Sequence, residues 1–293
     1  MKNGPKSTGR PLFPLCFLLL GFNLYAESAF TTAFTADSTD TPVAANTPES
    51  VFALELRRDI IISTLSLGVF FGPFLIPETQ EIPTLNKNDV NAFDRGLMFN
   101  HGWFNGVTVG LRPVMAVLPL IVPLVLVEWR DFRSDFNIWL TYGVMYAQAV
   151  LLTYGTRMAL GRAINRHRPY YYFHDVIDRP ITPNSFPSGS TAMAFLPATF
   201  FSVTFAREFP DSRWRIPVIV GSHTLAATVG AARIITGHHF LTDVLAGAAI
   251  GSFFGWLIPT LHRRPALTPN GVNGAGNLSF QFTGSGAAMS IRL

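Results

Sequence analysis

The chain has 293 residues, of which 48% are hydrophobic and only 14% charged, with a net charge of +4. That charged share is well below the roughly 25% of ordinary soluble domains, and several apolar runs approach the ~20 residues needed to cross a bilayer. No basic stripe and no nucleic-acid-binding motif is present, so no nucleic-acid partner is expected; the single cysteine, Cys16, rules out a disulfide framework and a cysteine-based metal site.

In chain order, residues 1–26 read as a signal peptide or N-terminal anchor. Lys2, Lys6 and Arg10 precede an apolar run over 12–20, and Ala26 is a candidate end point. Residues 27–52, rich in Thr, Ala, Ser and Pro, read as a linker. The functional region is expected over 53–264, with a tail over 265–293. Six apolar segments fall near 54–76, 106–127, 136–160, 189–206, 215–236 and 240–261. An all-α, six-helix integral membrane bundle is therefore expected. The polar stretch between the first two segments, with Asp89, Asp94 and Arg95, reads as a surface loop with a short amphipathic helix. The tail alternates weakly over 278–282, which fits a short strand and a disordered end equally.

Arginines mark one set of alternate segment ends: Arg57 and Arg58, Arg130 and Arg133, Arg207, Arg213 and Arg215, Arg263 and Arg264. The positive-inside rule makes that side cytoplasmic, so the loops at 77–105, 162–188 and 237–240 face the other way. A cleaved leader would instead start the mature chain outside. Either the leader stays attached or one segment, 54–76 first, does not span. The arginine pattern carries more weight because it repeats at four places.

Three clusters sit at helix ends on that opposite side. Arg157, Arg162, Arg166, Arg168 and Pro169 form the first. Pro187-Ser188-Gly189-Ser190 forms the second, where Ser188 is a natural N-cap and the first-turn amides make an anion site. Arg233, His239 and Asp243 form the third. His239 and Asp243 are four apart and share a helix face. A carboxylate there can keep one imidazole nitrogen protonated and leave the other to attack. Arginines supply forks of donors for phosphate oxygens.

Together, over about 135–260, these clusters resemble the type 2 phosphatidic acid phosphatase (PAP2) family, which also includes vanadium haloperoxidases. The family pattern is Lys-x6-Arg-Pro, Pro-Ser-Gly-His and Ser-Arg-x5-His-x3-Asp. The resemblance implies that His239 is a nucleophile forming a phosphohistidine, that Asp243 orients it, and that Arg168, Arg233, Ser188 and the Gly189 amide bind phosphate. It implies a PAP2-type bundle in a bacterial inner membrane, with the site facing the periplasm or exterior. The expected reaction is metal-independent hydrolysis of a lipid phosphate or diphosphate, without cofactor.

Two positions depart from the pattern. Gly161 stands where the family has lysine, and Arg162, Arg157 and Arg166 are candidates for the charge. Ser190 stands where the family has its acid histidine. General acid help is worth ~10²–10⁴-fold. A leaving phosphate, with a second pKa of ~6, needs that proton far less than an alkoxide does. A diphosphate is thus the favoured substrate; His174, His167 and His238 are alternative acids. The alternative reading is an impaired PAP2-fold protein that binds phospholipid without turnover. A vanadate-type oxidation site is disfavoured because its other acid–base groups are missing.

Overall fold

The computed structural model describes residues 50–77, 85–99, 105–127, 132–173, 184–264, 277–283 and 286–292. The signal-like segment, most of the linker and His174 lie outside them. The elements in order are α1 (Leu56–Phe71), α2 (Ala92–Arg95), α3 (Asn105–Leu126), α4 (Phe132–Ile164), α5 (Gly189–Glu208), α6 (Arg215–Ile235), α7 (Leu241–Leu261), β1 (Asn277–Thr283) and β2 (Gly286–Arg292). The strands pair antiparallel, Asn277 opposite Arg292 through Thr283 opposite Gly286, so a hairpin occupies the tail where strand and disorder were both open.

Five spans, Leu56–Leu75, Gly106–Leu126, Gly189–Glu208, Arg215–Ile235 and Leu241–Leu261, are long and apolar enough to cross a membrane. The sixth expected segment lies in α4, which at 33 residues is the longest helix described but is too polar to qualify by composition. It is flanked by α1, α5 and α7. Ile60, Leu65, Val117, Leu124, Ile216 and Leu245 point outward and more than half-exposed on the apolar helices. Such surface suits lipid rather than water. The chain is an integral membrane protein. Pro113, Pro119 and Pro123 all sit inside α3, a density that membrane helices tolerate because neighbouring groups re-satisfy the freed carbonyls.

α5 and α7 form the tightest pair, running side by side from the same end. A glycine stripe makes this possible. A Cβ on Gly247, Gly251 or Gly255 would lie 2.4, 2.2 or 2.7 Å from the carbonyl oxygens of Ser188, Ala192 and Leu196. Small residues every fourth position let two membrane helices approach backbone to backbone. Below this contact, Met145, Leu196, Phe200 and Ile258 make the buried core.

The two ends of the bundle differ in chemistry. One gathers Arg57 and Arg58, Arg207, Arg213 and Arg215, Arg263 and Arg264 at the ends of α1, α5, α6 and α7. There the Arg58 guanidinium donates to the Leu261 carbonyl and Arg207 to Thr260 Oγ1. Ser50 Oγ donates to Glu208 Oε1 at 2.6 Å, and Phe52 is buried against Tyr142. Buried His262 sits 2.7 Å from Asp59. Residues 50–52, read as the close of the linker, are thus packed into the arginine-rich end. α1 runs in parallel with α4, with Gln148 donating to Ser63 Oγ at 3.0 Å and Gly155 against the Val69 backbone. The short segment thought least suited to spanning lies alongside the other helices.

Candidate active site

The opposite end is where the three clusters meet. α4 terminates at Ile164, with Asn165 in the left-handed region (φ 44°), a conformation asparagine tolerates at a helix C-terminus. The chain then extends through Arg168 into the Pro169–Tyr172 turn. α5 starts at Gly189, with the Ser188 side chain as N-cap accepting from the Thr191 amide. α6 ends at Ile235, and Gly237 (φ 69°) reverses the chain. Only a residue without Cβ takes that conformation freely. The amides of His238 and His239 both return to the Arg233 carbonyl, which places His239 directly above the arginine.

His239 is 3% exposed, and its Nδ1 lies 2.7 Å from the Ser185 carbonyl oxygen. A carbonyl only accepts, so Nδ1 carries the proton and Nε2 keeps its lone pair. Asp243 was expected to provide this contact. Its Oδ2 is instead 3.8 Å from Nδ1, outside hydrogen-bond range, so the carboxylate acts on the ring through space. Burial lowers the His239 pKa to about 4; the Arg168 and Arg233 charges add to this, and Asp243 opposes it. The imidazole is neutral at pH 7.

Asp243 is fully buried and fully engaged. Its Oδ2 accepts from Ser185 Oγ at 2.5 Å and from the Phe240 amide at 2.9 Å, and its Oδ1 from Arg166 at 2.7 Å. Asp94, on α2, lies on the other side of Arg166, 2.7 Å from it. It also accepts from the Thr242 amide and hydroxyl at 3.0 and 2.6 Å. Burial pushes the Asp94 carboxyl up, but the Thr242 and Arg166 hydrogen bonds outweigh it and hold it below the ordinary carboxylate range. The 85–99 stretch is therefore no mere surface loop: it presents a fully buried aspartate to the first turn of α7. Only its periodicity was legible, because nothing local marks Asp94 as the partner of a residue 72 positions away.

A cavity of about 460 Å³ opens beside His239. Arg112, Arg157, Arg168 and Arg233 line its polar part, with Gly189 and Ser190 at the start of α5; Met115, Met193, Ala194, Pro197 and Val229 make it apolar further in. Of the residues expected to bind phosphate, Arg168, Arg233 and Gly189 line this cavity. Arg157, one of three candidates for the missing lysine charge, is the one that enters. Its Nε lies where a Cβ on Gly189 would be only 3.0 Å away, so a side chain there would push the guanidinium aside. Arg162 turns away to the carbonyls of Pro73 and Ile76, and Arg166 is held by the two aspartates. Gly161 packs against the Phe186 carbonyl and the Asn184 side chain, where a Cβ would be 3.3 Å from the carbonyl oxygen. Ser188 is fully buried with its hydroxyl 2.8 Å from Thr191 Oγ1; it caps the helix and is not among the cavity-lining residues, unlike the neighbouring Ser190.

Other polar residues find structural partners. His238 Nδ1 lies 2.9 Å from Thr236 Oγ1, and neither it nor His167 lines the cavity. His223 Nε2 lies 3.2 Å from Thr199 Oγ1 across the helix interface. Tyr170 is buried with its ring against His238. Arg112, Thr108, Tyr146 and Tyr154 line the cavity without belonging to any of the three clusters. The signal for Arg112 was its position as the one charge inside α3.

Comparison with known proteins shows what this chain is similar to. Residues 139–266 match the PAP2 superfamily. Over 86 residues the chain is 37% identical to a lipid A 1-phosphatase of Porphyromonas gingivalis, covering 28% of this chain and 18% of that protein. It is 36% identical over 115 residues to a lipid A 1-phosphatase of Rhizobium etli, covering 37% of this chain and 45% of that one. The matched stretches thus span less than half the length of these relatives. A crystal structure of a transmembrane PAP2-type phosphatidylglycerolphosphate phosphatase from Bacillus subtilis aligns with a TM-score of 0.41 and 20% identity, covering 69% of this chain and 94% of that one.

Proposed function

We propose that this protein, which matches the PAP2 superfamily over residues 139–266, hydrolyses a phosphate group from a membrane lipid phosphate or diphosphate through a phosphohistidine on His239. One observation carries the reading. A neutral imidazole, with Nδ1 tied to a backbone carbonyl, faces a cavity edged by four guanidinium groups. In the proposed reaction, Nε2 attacks phosphorus in line, and the P–O bond to the leaving lipid or lipid phosphate oxygen breaks, its electron pair departing with that oxygen. Arg157, Arg168, Arg233 and the amides at the start of α5 hold the equatorial oxygens as charge builds. Water then attacks phosphorus, and the P–N bond pair returns to Nε2.

The arginine-rich end, opposite the cavity, supports an orientation with the site facing away from the cytoplasm. In that orientation α1 begins on the cytoplasmic side, which favours a retained N-terminal segment over a cleaved one. The names of the Porphyromonas and Rhizobium relatives make a phosphorylated glycolipid of the lipid A class the first substrate to offer.

The test uses the full chain purified in detergent, offered lipid A, a lipid monophosphate and a lipid diphosphate beside His239→Ala. Phosphate release above that control, with radiolabelled phosphate trapped on His239 as an acid-labile adduct, is the expected result. The presence of Ser190 in the cavity, where the family places an acid, favours a second reading, lipid binding without turnover. Lipid binding with release no faster than in His239→Ala would select it.

A further inference from the structure

A second cavity, of about 420 Å³, lies in the arginine-rich half of the bundle and shares no lining residue with the cavity beside His239. Its floor is one face of α5, where Thr199, Ser202, Val203 and Ala206 recur at helical spacing and none is larger than valine. Arg215, Ile219 and His223, one face of α6, form one wall, and Trp256 of α7 forms the other. The inner end is polar but satisfied. His223 Nε2 lies 3.2 Å from Thr199 Oγ1 and its Nδ1 2.9 Å from the Ile219 carbonyl, while Ser202 donates to the Ala198 carbonyl. Groups paired in this way call for no ligand of their own.

The mouth of the groove is different. Arg207 and Arg215 stand there, at the ends of the spans Gly189–Glu208 and Arg215–Ile235, where a bilayer has its headgroups. Arg207 donates to the Pro259 carbonyl at 3.3 Å and to Thr260 Oγ1 at 2.9 Å, and Arg215 to the Pro210 carbonyl at 2.7 Å. These bonds anchor both guanidiniums and leave donors of each fork unused. Among the described residues the groove lining holds no Asp or Glu. Glu208, next in the chain, accepts instead from Ser50 Oγ, the Val51 amide and the Tyr142 hydroxyl. Asp211 is exposed in the turn and does not line the groove. Eight residues separate Arg207 from Thr199, and eight separate Arg215 from His223. At 1.5 Å per residue the groove thus runs about 12 Å inward from the two charges, over Val203, Ala206 and Ile219.

We propose that this groove binds an anionic phospholipid from the leaflet at the arginine-rich end, one whose headgroup carries a phosphate and no amine. The phosphate sits at Arg207 and Arg215, and the upper part of an acyl chain lies over Val203, Ala206 and Ile219 against the Trp256 indole. Basic pockets between membrane helices take anionic headgroups in this manner. Inorganic phosphate would meet the same arginines but leave the apolar length of the groove unfilled. A zwitterionic lipid would bring an ammonium group beside two guanidiniums, which repels. Arg207 is tied to α7 and Arg215 belongs to α6, so the bound lipid holds these two helices together over α5. The site is independent of turnover at His239.

The experiment titrates the full chain in detergent with phosphatidylglycerol, phosphatidylethanolamine or inorganic phosphate and counts bound lipid by native mass spectrometry. Lipid held in the catalytic cavity is common to every variant and cancels in the comparison. One charge-assisted hydrogen bond to phosphate corresponds to about tenfold in affinity. Arg215→Gln is expected to weaken one phosphatidylglycerol site by about that factor. Arg213→Gln, in the same turn but stacked on Trp214 and outside the groove, should change it less than about twofold. Ala206→Leu fills the groove without altering charge and should weaken the same site by at least about tenfold; it decides the matter if Arg215→Gln fails to fold in a thermal unfolding control. Phosphatidylethanolamine should bind that site at least about tenfold more weakly, and inorganic phosphate at equal concentration should not displace the lipid. Equal losses in Arg213→Gln and Arg215→Gln, no loss in Ala206→Leu, equal binding of the two lipids, or displacement by inorganic phosphate each overturn the proposal and leave the phosphatase reading standing.

Discussion

Arg166 offers the sharpest test of how the site is built. It lies between two fully buried carboxylates, 2.7 Å from Asp94 Oδ2 and 2.7 Å from Asp243 Oδ1, with a third bond of 2.7 Å to Thr242 Oγ1. Its own side chain is 21% exposed. Arg166→Gln keeps much of the length but removes the charge, leaving two carboxylates facing one another without a cation. Each charge-assisted hydrogen bond contributes about 1.5–3 kcal/mol net. Breaking a buried pair by removing one partner costs about 3–5 kcal/mol. The partial exposure places the expected loss toward the lower end, about 3 kcal/mol. Function falls separately. Asp243 sits 3.8 Å from His239 only because Arg166, Ser185 and the Phe240 amide hold it there. A displacement of about 1 Å in such a group costs on the order of 10²-fold in rate. Thermal unfolding in detergent measures the first effect and His239-dependent phosphate release the second. The double variant Asp94→Asn/Arg166→Gln, which removes the like-charge conflict, is expected to recover about half the stability but not the rate. An Arg166→Gln protein with less than about 1 kcal/mol of destabilisation and an unchanged rate would refute the bridging role.

Three further outcomes are expected. Ser190→His places an acid in the cavity beside Arg157 and should speed lipid monophosphate hydrolysis by at least about tenfold, with a smaller gain on a diphosphate; equal gains would show that leaving-group protonation is not what Ser190 lacks. The His239 pKa is held at about 4, below its ordinary 6.5, so the ring should stay neutral and reactive toward diethyl pyrocarbonate down to that pH. Because the folded pKa is the lower one, the stability tied to this group is complete above 6.5 and is lost as pH falls toward 4; a reactivity midpoint near 6.5, read by mass spectrometry against His239→Ala, would contradict the buried placement. Gly251→Ala puts a methyl 2.2 Å from the Ala192 carbonyl and forces α5 and α7 apart. The expected loss is about 1–3 kcal/mol in thermal unfolding, whereas Gly221→Ala, with open space around it, should be near neutral.

Short-range spacing was enough for part of this protein. The apolar run lengths mark the spans, and the four-residue interval between His239 and Asp243 puts both at the same helix entrance whatever surrounds them. Ser188 caps α5 because its neighbours in the chain are the first-turn amides, a purely local matter. The arginine rhythm separates the two ends of the bundle, since each span reverses direction. Partner choice was not legible. Arg157, Arg162 and Arg166 lie within ten residues and look alike in one dimension, yet one enters the cavity, one turns to the carbonyls of Pro73 and Ile76, and one bridges aspartates 72 and 77 positions away. Helix rotation and the closeness of α5 to α7 decide this. Ser185, by supplying the carbonyl that fixes the His239 tautomer, and Arg112, by sitting on a helix outside every motif, likewise acquire meaning only when distant segments pack. Hydrogen bonds and ion pairs act over a few ångströms, and in a folded chain that range is set by tertiary contact rather than by sequence separation.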